Sequence, residues 1–325
     1  MKNRIYLNYN KNKFKGNIHL HTTWSDGRLD ATEIVGLYKA LNYNFLCFSD
    51  HDIYTRTQSF DTETFITLPG MERGGLNPTF ETNDNPGFHF TVLDNPNIYA
   101  EERFTHLQQF EYPQKWVGDQ SVKECIQLME EHGNLVILNH PEWHMTPFEV
   151  MKNNNFFAVE IYNHATEWSL STSYGTAYWD YALQNDKRLF AVAADDSHDY
   201  KSDLEILDYA GGWIVVDSEN LTQKDIMTNI QEGNYYSSSG PEIFDFRVES
   251  GMVKIKCSNV QCIMFKSWPV RGNFIIDRQG NKPFTEAMFK INPMMKYIRV
   301  ECIDYHGKTA WTNPIFIEDL DQTEK

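Results

Sequence analysis

Short apolar runs alternate with helix-like segments over the first 240 residues of the chain. Apolar runs of four to seven residues predict buried strands at Asn17–His21, Asn44–Phe48, Phe65–Leu68, His89–Leu93, Leu135–Leu138, Phe156–Tyr162, Leu189–Ala194 and Trp213–Val216. Amphipathic spacing and capping residues predict helices at Asp30–Leu41, Ser121–His132, Thr176–Gln184 and from Thr222 to about Glu232. Repeated strand–helix units of this kind predict a parallel α/β barrel.

The pattern changes near Tyr235. The stretch Tyr235–Pro241 reads Y-Y-S-S-S-G-P and predicts a turn-like linker. Short alternating runs with turn residues between them follow at Phe244–Val248, Met252–Cys257, Cys262–Lys266, Phe274–Ile276, Ala287–Ile291 and Tyr297–Ile303. This alternation favours a small antiparallel, β-sandwich-like domain. We therefore predict two domains, at residues 1–240 and 241–325.

Composition and charge exclude several classes of protein. Hydrophobic residues make up 41% of the 325 residues and charged residues 23%, as in a folded globular protein. The net charge of −16 argues against extended nucleic acid and acidic membrane surfaces as partners. We expect no membrane span and no secretory signal, because no apolar stretch is long enough. The five cysteines form no C-x-x-C pair, which favours free thiols in the cytoplasm.

Metal-competent side chains follow most of the predicted strands. The first strand ends in His19-Leu20-His21, and residues two apart on a strand face the same side. The order of the candidates along the chain is His19, His21, Asp26, His51, Glu72, His89, His140, Asp196 and His198. In a parallel barrel the strand ends share one face, so these six histidines and three carboxylates would converge there. A set of this size suits two or three ions. The D-x-H pattern of Asp196 and His198 occurs again at Asp304 and His306, and we interpret that second copy as a surface turn.

The combined motifs resemble the PHP (polymerase and histidinol phosphatase) superfamily of metal-dependent hydrolases. The matching pieces are N-I-H-L-H-T-T-W-S-D-G, F-S-D-H-D, G-M-E, N-H-P and D-D-S-H, within roughly residues 16–240. The tail is similar to the C-terminal part of the CehA/McbA-like branch, through Y-Y-S-S-S-G-P, Y-I-R-V-E-C-I-D and A-W-T-N-P-I. The resemblance implies a distorted (β/α)7 TIM-like barrel with a trinuclear metal site.

Carried over by motif, the resemblance also implies a distribution of ligands among the ions. His19 and His21 would hold the first ion with Asp196, and Glu72 would bridge the first and second ions. The second ion would be completed by His89 and His140, with His106 as the alternative to His89. The third ion would be held by Asp26, His51 and His198. Sites rich in imidazole and carboxylate favour Mn, Fe or Zn over Mg or Ca.

The leading hypothesis for function is hydrolysis of a small phosphomonoester or phosphodiester by a metal-bridging hydroxide. The chain contains no G-x-S-x-G elbow and no P-loop motif, which argues against a serine nucleophile and against nucleotide-driven work. Two alternatives stay open: hydrolysis of a carbamate, ester or amide, and a non-catalytic binding protein. Nothing in the sequence sets the oligomeric state.

Further residues receive roles around this centre. General acid assistance is expected from a metal-bound water, His144 or His164, and substrate contacts from Arg73 and Asn163. Glu160, Tyr162 and Asn163 are candidates for the pocket wall. At least one of Asp50 and Asp52 is expected to orient His51, and Asp52 is included among the catalytic candidates with Glu72. Three divalent ions would outweigh the three carboxylate ligands, so a locally positive mouth could accept a small anionic substrate despite the overall charge.

Overall fold

The computed structural model describes residues 1–54, 57–75, 88–94, 108–109, 119–131, 133–200 and 207–320. The chain divides into two compact units. The larger consists of Phe14–Ile214 and Asn220–Thr228, and the smaller of Met1–Lys13, Val215–Glu219 and Asn229–Lys325. In the smaller unit the N-terminal strand Arg4–Leu7 pairs with Ile243–Glu249, a contact between distant segments that sequence patterning does not reveal. The predicted limits therefore differ from these units, and an independently folding domain at 241–325 stays a prediction.

The strands and helices alternate irregularly along the chain. The strands are β1 Arg4–Leu7, β2 Asn12–Asn17, β3 Phe45–Cys47, β4 Ile53–Tyr54, β5 Ile66–Leu68, β6 Gly70–Gly75, β7 Phe88–Leu93, β8 Gln108–Gln109, β9 Leu135–Leu138, β10 Ala158–Asn163, β11 Phe190–Ala194, β12 Trp213–Ser218, β13 Tyr235–Ser238, β14 Ile243–Glu249, β15 Met252–Val260, β16 Cys262–Trp268, β17 Phe274–Ile276, β18 Phe284–Lys290, β19 Tyr297–Ile303, β20 Thr309–Thr312 and β21 Ile315–Phe316. The α-helices are α1 Ala31–Ala40, α2 Asp119–Glu131, α3 Phe148–Asn153, α4 His164–Leu170, α5 Thr176–Gln184 and α6 Gln223–Gln231.

The larger unit is a mixed α/β structure. Strands β2, β3 and β5 run parallel, and so do β9, β10 and β11. However, β7 runs antiparallel to both β6 and β9, which corrects the prediction of an all-parallel sheet. Among the described residues, these strands do not join into one closed sheet. Two isolated parallel bridges pair Leu20 with Ser197 and His51 with Glu72; of these residues only Glu72 lies within a strand, β6.

The helices that sequence patterning predicted occur close to their expected limits. Asp30 caps α1 and forms a capping box with Glu33, while Ile34 and Tyr38 bury the opposite face in a core with Phe48 and Phe65. Helix α6 begins after Thr222, whose hydroxyl accepts from the backbone of Asp225. It ends before Gly233, which has φ of 76°. His132 and His106 lie outside the described residues, and helices α3 and α4 were not predicted.

The predicted first strand is shifted. Strand β2 ends at Asn17, so His19 and His21 lie in an extended segment that follows the strand. This segment continues the backbone pairing through a single bridge between Leu20 and Ser197.

The smaller unit is antiparallel, as predicted. Its sheets are β1-β14-β15-β18 and a second group in which β16 pairs with β17 and β19, and β19 pairs with β20 and β21. The predicted linker is wrong: Tyr235–Ser238 forms strand β13, is buried, and pairs with β20. The β-forming preference of two adjacent tyrosines outweighs the turn preference of the serines that follow. Across the described part of the chain, no helix combines the length and apolarity required to cross a membrane.

Candidate metal centre

Backbone hydrogen bonds hold the ligand-bearing segments side by side in the larger unit. The amide of Asp196 donates to the carbonyl of His19 at 2.8 Å, and that of His21 donates to Ser197 at 2.9 Å. The amide of Glu72 donates to the carbonyl of Ser49 at 2.9 Å. These bonds place side chains from distant segments side by side: His19, Ser49 and Asp196 follow strands β2, β3 and β11, whereas Glu72 lies within β6.

Glu72 lies at the centre of the cluster and is 1% exposed. Its Oε1 is 3.3 Å from His19 Nε2, and its Oε2 is 3.2 Å from His21 Nε2. The same carboxylate lies 3.1 Å from Nδ1 of His51 and 3.1 Å from Nδ1 of His89. A single carboxylate thus faces four imidazoles from three segments of the chain.

The other two carboxylates lie on either side of Glu72. Oδ1 of Asp196 is 3.0 Å from His19 Nε2 and 3.2 Å from His21 Nε2. Asp26, which is half exposed, lies 3.5 Å from His51 Nε2 and 3.6 Å from His198 Nε2. The predicted residues are therefore brought together, with His140 Nε2 3.4 Å from Glu72 Oε1.

The spacing of these atoms fits a shared ion. Two ligands about 2.1 Å from one ion lie about 3.0 Å apart in octahedral geometry and about 3.4 Å apart in tetrahedral geometry. The nitrogen–oxygen distances above fall close to this range. The buried Nε2 atoms of His19 and His21 also lack a hydrogen bond of acceptable geometry within the described structure. Buried polar atoms normally have partners, so these residues fit a metal ion.

Ligand atoms within 4.8 Å of one another form overlapping groups: His19, His21, Glu72 and Asp196; His21, Asp26, His51 and His198; His51, Glu72 and His89; His89, His140 and His144; and His19, His140 and Glu160. The first two groups contain the sets that motif resemblance assigned to the first and third ions. His144 and Glu160 join groups although neither was expected to be a ligand.

Three buried polar side chains form hydrogen bonds with the candidate ligands. Glu160 lies 2.9 Å from Nδ1 of His19 and accepts from the backbone amide of His140 at 2.7 Å. Asn139 donates to Oε1 of Glu72 at 2.8 Å. Asn163 donates to Glu160 and Asp196, at 2.9 and 3.1 Å, and its oxygen caps α4. Asn163 is 1% exposed and its side-chain nitrogen and oxygen both form hydrogen bonds, which argues against the predicted contact with substrate.

The acidic residues on either side of His51, Asp50 and Asp52, form hydrogen bonds with other residues. Asp50 is fully buried and accepts from the backbone and hydroxyl groups of Thr22 and Ser25, which shapes the turn that carries Asp26. Asp52 accepts from Arg73 at 2.6 Å. The expectation that one of them orients His51 is therefore corrected. Arg73 is 7% exposed and directed to Asp52, which also argues against its predicted contact with substrate.

Two further aspartates were given no role by sequence reasoning. Asp195 is buried and accepts from the backbone amides of Ala210, Gly211 and Gly212, each at 2.8 Å. Asp208 accepts from the backbone amides of His198, Asp199 and Tyr200, at 2.6 to 2.9 Å. Both hold the loop that carries Asp196 and His198. Their signal in the sequence is weak, because their donors are main-chain groups.

The two histidines predicted as general acids differ in their surroundings. His164 is buried, with Nδ1 3.1 Å from the Tyr162 hydroxyl and Nε2 3.1 Å from the carbonyl of Leu207. Both of its ring nitrogens are engaged outside the cluster, which corrects the catalytic role predicted for it. The His144 ring instead packs 4.6 Å from the ring of His89 and 4.7 Å from that of His140, measured between centroids.

The carboxylates and imidazoles of the cluster shift one another's pKa values. Burial opposes the charged form of His21, yet the carboxylates of Asp196 and Glu72, each 3.2 Å from its Nε2, outweigh burial and raise its pKa to about 9. Burial likewise opposes ionisation of Glu72, but the surrounding histidines hold its pKa well below the ordinary range. A hydrogen bond from His51 is the main cause of the lowered pKa of Asp26. A cation could replace the protons that this arrangement retains.

The cluster opens into a cavity of about 500 Å³ in the larger unit. Its wall is formed by Asp26, His51, Glu72, His89, His140, Trp143, Ala165, Thr166, Trp168, Asp196, His198, Asp199 and Asp208. Near the cavity wall, Arg28 pairs with Asp199 at 2.6 Å. The volume suits a small molecule, and two tryptophans provide apolar surface beside the ligand atoms.

No family model and no curated protein matches the chain. Its structure is similar to that of a two-domain protein from Bacteroides vulgatus, described as containing a predicted PHP-like metal-dependent phosphoesterase. Identity is 13%, with 92% of each chain covered and a TM-score of 0.46. A protein from Bifidobacterium adolescentis, proposed to be a metal-dependent phosphoesterase, matches at 13% identity, with coverages of 56% of this chain and 87% of that one and a TM-score of 0.34.

An amidohydrolase from Chromobacterium violaceum with bound sulfate and no metal is also similar. Identity is 11%, coverage is 68% of this chain and 96% of that one, and the TM-score is 0.38. The description of the first of the three structures contains the term PHP-like. All three TM-scores are low, so the function proposed below rests on the side chains of the site.

Proposed function

We propose that this chain is a metal-dependent phosphoesterase of the PHP superfamily with a trinuclear centre. The observation that carries the proposal is the convergence of six histidines and three carboxylates from distant segments, with nitrogen–oxygen separations such as 3.0, 3.2 and 3.5 Å. Buried imidazole nitrogens without hydrogen bonds support metal binding over a purely structural polar cluster.

The proposed ligand sets follow the groups of neighbouring atoms. His19, His21 and Asp196 would hold the first ion, His89 and His140 the second, and Asp26, His51 and His198 the third, with Glu72 shared between the first two. We expect Mn, Fe or Zn, because imidazole-rich sites suit these metals. When bound, such ions lower the pKa of a water nucleophile and neutralise charge on the phosphoryl oxygens.

The residues of the chain prepare the site for this chemistry. Glu160 holds the ring of His19, and Asn139 holds the carboxylate of Glu72, so the ligand atoms are fixed before a substrate arrives. Trp143 and Trp168 form apolar parts of the cavity wall and reduce access of bulk water. The volume of about 500 Å³ favours a compact substrate.

A distorted barrel is also part of the proposal. The bridge between Leu20 and Ser197 and that between His51 and Glu72 link the segments that follow β2 and β3 to the end of β11 and to β6, the outer strands of the other sheet. Closure there would give a barrel around one site, with β7 reversed. We further expect the protein to act in the cytoplasm, where Cys47, Cys257, Cys262 and Cys302, all buried, stay reduced.

One observation favours a second candidate function. Among the described residues that line the cavity there is no lysine or arginine, so the lining itself offers no permanent positive charge to a phosphate. The ions would then be the main source of positive charge, and the same centre could attack a neutral carbamate, ester or amide carbonyl. Comparison of phosphomonoesters, phosphodiesters and carboxyl esters as substrates separates the two functions.

Metal analysis tests the common part of both proposals. Protein purified without oxygen after metal-replete expression should contain about two to three transition-metal ions per chain. Glu72→Ala and His51→Ala should each abolish most turnover while the protein stays folded, whereas His306→Ala, in an exposed turn, should have no effect. Less than one ion per chain, or full activity in either ligand variant, would contradict the proposal.

A further inference from the structure

A tenth metal-competent side chain lies against the cluster. His144 follows His140 in the turn at residues 141–145, and its amide lies 3.3 Å from the carbonyl of His140. The turn is closed further by the amide of Thr146, which donates to Pro141 at 2.9 Å. The backbone thus folds back at this point and places the ring of residue 144 beside that of residue 140.

The backbone on both sides of this turn is unusual. His140 has φ of 24° and Met145 has φ of 51°, and neither is a glycine. Positive φ costs about 1 kcal/mol or more for such residues and persists only where the surroundings impose it. The conformation is therefore compatible with a turn that is held in place to position a side chain.

The ring of His144 has no polar partner that explains its burial. It is 5% exposed, and neither of its nitrogens has a hydrogen-bond partner among the described residues. Leaving a buried donor or acceptor unsatisfied costs about 1–3 kcal/mol. A histidine that serves only to pack beside Trp143 would carry this cost without return, whereas a phenylalanine would not.

A ligand atom of His144 lies within 4.8 Å of those of His89 and His140. Its ring is close to both, and Trp143 packs edge-on to His144, with centroids 4.7 Å apart. The three imidazoles form one group, and Oε1 of Glu72 lies 3.1 Å from Nδ1 of His89 and 3.4 Å from Nε2 of His140, so three nitrogens and one oxygen are available to an ion placed among them.

We propose that His144 is a fourth protein ligand of the second ion, together with His89, His140 and Glu72. This inference rests on the proposed metal-dependent function. Four protein ligands complete a tetrahedral zinc site, so this ion would be held with little dependence on water or substrate. It would be retained more firmly than the ion bound through the half-exposed Asp26, and its principal role would be to fix Glu72.

Titration of metal-stripped protein with Co²⁺ alone tests the assignment, because tetrahedral cobalt has intense visible absorption bands. His144→Phe keeps an aromatic ring and removes the ligand. We expect it to weaken the tightest cobalt site by about tenfold or more, judged by the 10- to 100-fold cost of losing a supporting partner. His144→Cys supplies a different ligand and should add a thiolate-to-cobalt charge-transfer band. His306→Phe is the surface control, and circular dichroism of each stripped variant verifies folding.

The outcomes separate this inference from the proposed function. If the unaltered protein binds no cobalt, both fail. If it binds cobalt but His144→Phe has the same affinities and the same visible spectrum, or His144→Cys shows no charge-transfer band, ligation by His144 fails and the other ligand sets stand. Weakened binding in His144→Phe together with the new band in His144→Cys supports direct ligation over a packing effect.

Discussion

Glu160 and His19 form a carboxylate–histidine pair, with Oε1 of Glu160 2.9 Å from Nδ1 of His19. Donation from Nδ1 to Glu160 would leave Nε2, which faces Glu72 and Asp196, as the electron-pair donor to a metal once the ring loses its second proton. The other oxygen of Glu160 accepts from His140 and Asn163. One buried carboxylate therefore sets the orientation of two segments of the proposed centre.

We expect Glu160→Gln to weaken metal binding by about 10- to 100-fold without unfolding the protein. Both oxygens of Glu160 face donors, whereas a glutamine has one oxygen and one NH2 group. The NH2 group would therefore face a donor, either at His19 or at His140 and Asn163. Competition with a chromogenic chelator measures the affinity. Glu149→Gln, at an exposed position in the first turn of α3, is the matched control. Unchanged affinity in Glu160→Gln would show that the pair does not support the ligands.

Asp50 and Asp52 provide a comparison within one short segment. Asp50→Asn removes acceptor capacity for the backbone and hydroxyls of Thr22 and Ser25, the turn that holds Asp26 in place. We expect the variant to lose the ion bound through Asp26 and to be less stable by about 1–3 kcal/mol. Asp52→Asn changes a group directed to Arg73 and should retain the metal content. Elemental analysis after gel filtration, with urea unfolding, distinguishes them; equal metal loss in both variants would refute this account.

Sequence patterning predicted the elements whose signals are local. Helix α1 carries both its cap, Asp30, and its buried stripe within a few residues, and its limits follow directly. The metal-competent residues are likewise recognisable because they interrupt or end apolar runs, where a buried charge is costly unless it is paired or binds a metal.

The missing parts depend on contacts between distant residues. Glu160 and His19 are 141 positions apart, and the sequence around each residue does not predict their contact. The reversed direction of β7 leaves no trace in a short apolar run, because buried strands look alike in either direction. Asn163 resembles a pocket residue at a strand end, and only its three hydrogen bonds reveal that it is occupied.

Asp195 is expected to be important for stability and not for ligation. It accepts from three consecutive backbone amides, and from the hydroxyl of Tyr38 at 2.8 Å. Burial is the main cause of its raised pKa, which these donors partly offset. Asp195→Ala would leave several buried donors without an acceptor, so we expect a loss of about 3 kcal/mol or more.

Urea unfolding of metal-stripped protein measures this effect without a contribution from bound ions. Tyr38→Phe removes only one of the donors and should cost about 1 kcal/mol. Similar stabilities for Asp195→Ala and the unaltered protein would mean that solvent replaces the carboxylate, contrary to its burial.

The pH dependence of stability should differ between the stripped and the metal-loaded protein. In the stripped protein the pKa of His21 is about 9, against an ordinary value of 6.5. The folded state therefore binds this proton more tightly than the unfolded state. The resulting stabilisation is fully present below about pH 6.5 and is lost as the pH rises towards 9. Burial opposes protonation of His19, but Asp196, Glu72 and Glu160 outweigh it, so its raised pKa acts in the same direction.

Metal binding has the opposite dependence, because the imidazoles must lose their protons to bind an ion. We therefore expect the melting temperature of the stripped protein to fall by several degrees between pH 6.5 and 9, while the added stability from metal grows. The lowered pKa values of Glu72 and Asp196 affect stability only at acidic pH and leave this window unchanged. Differential scanning fluorimetry of the stripped and the metal-loaded protein over this pH range measures the difference between their melting temperatures. If this difference in melting temperature stays constant or decreases with rising pH, these histidines do not exchange protons for metal.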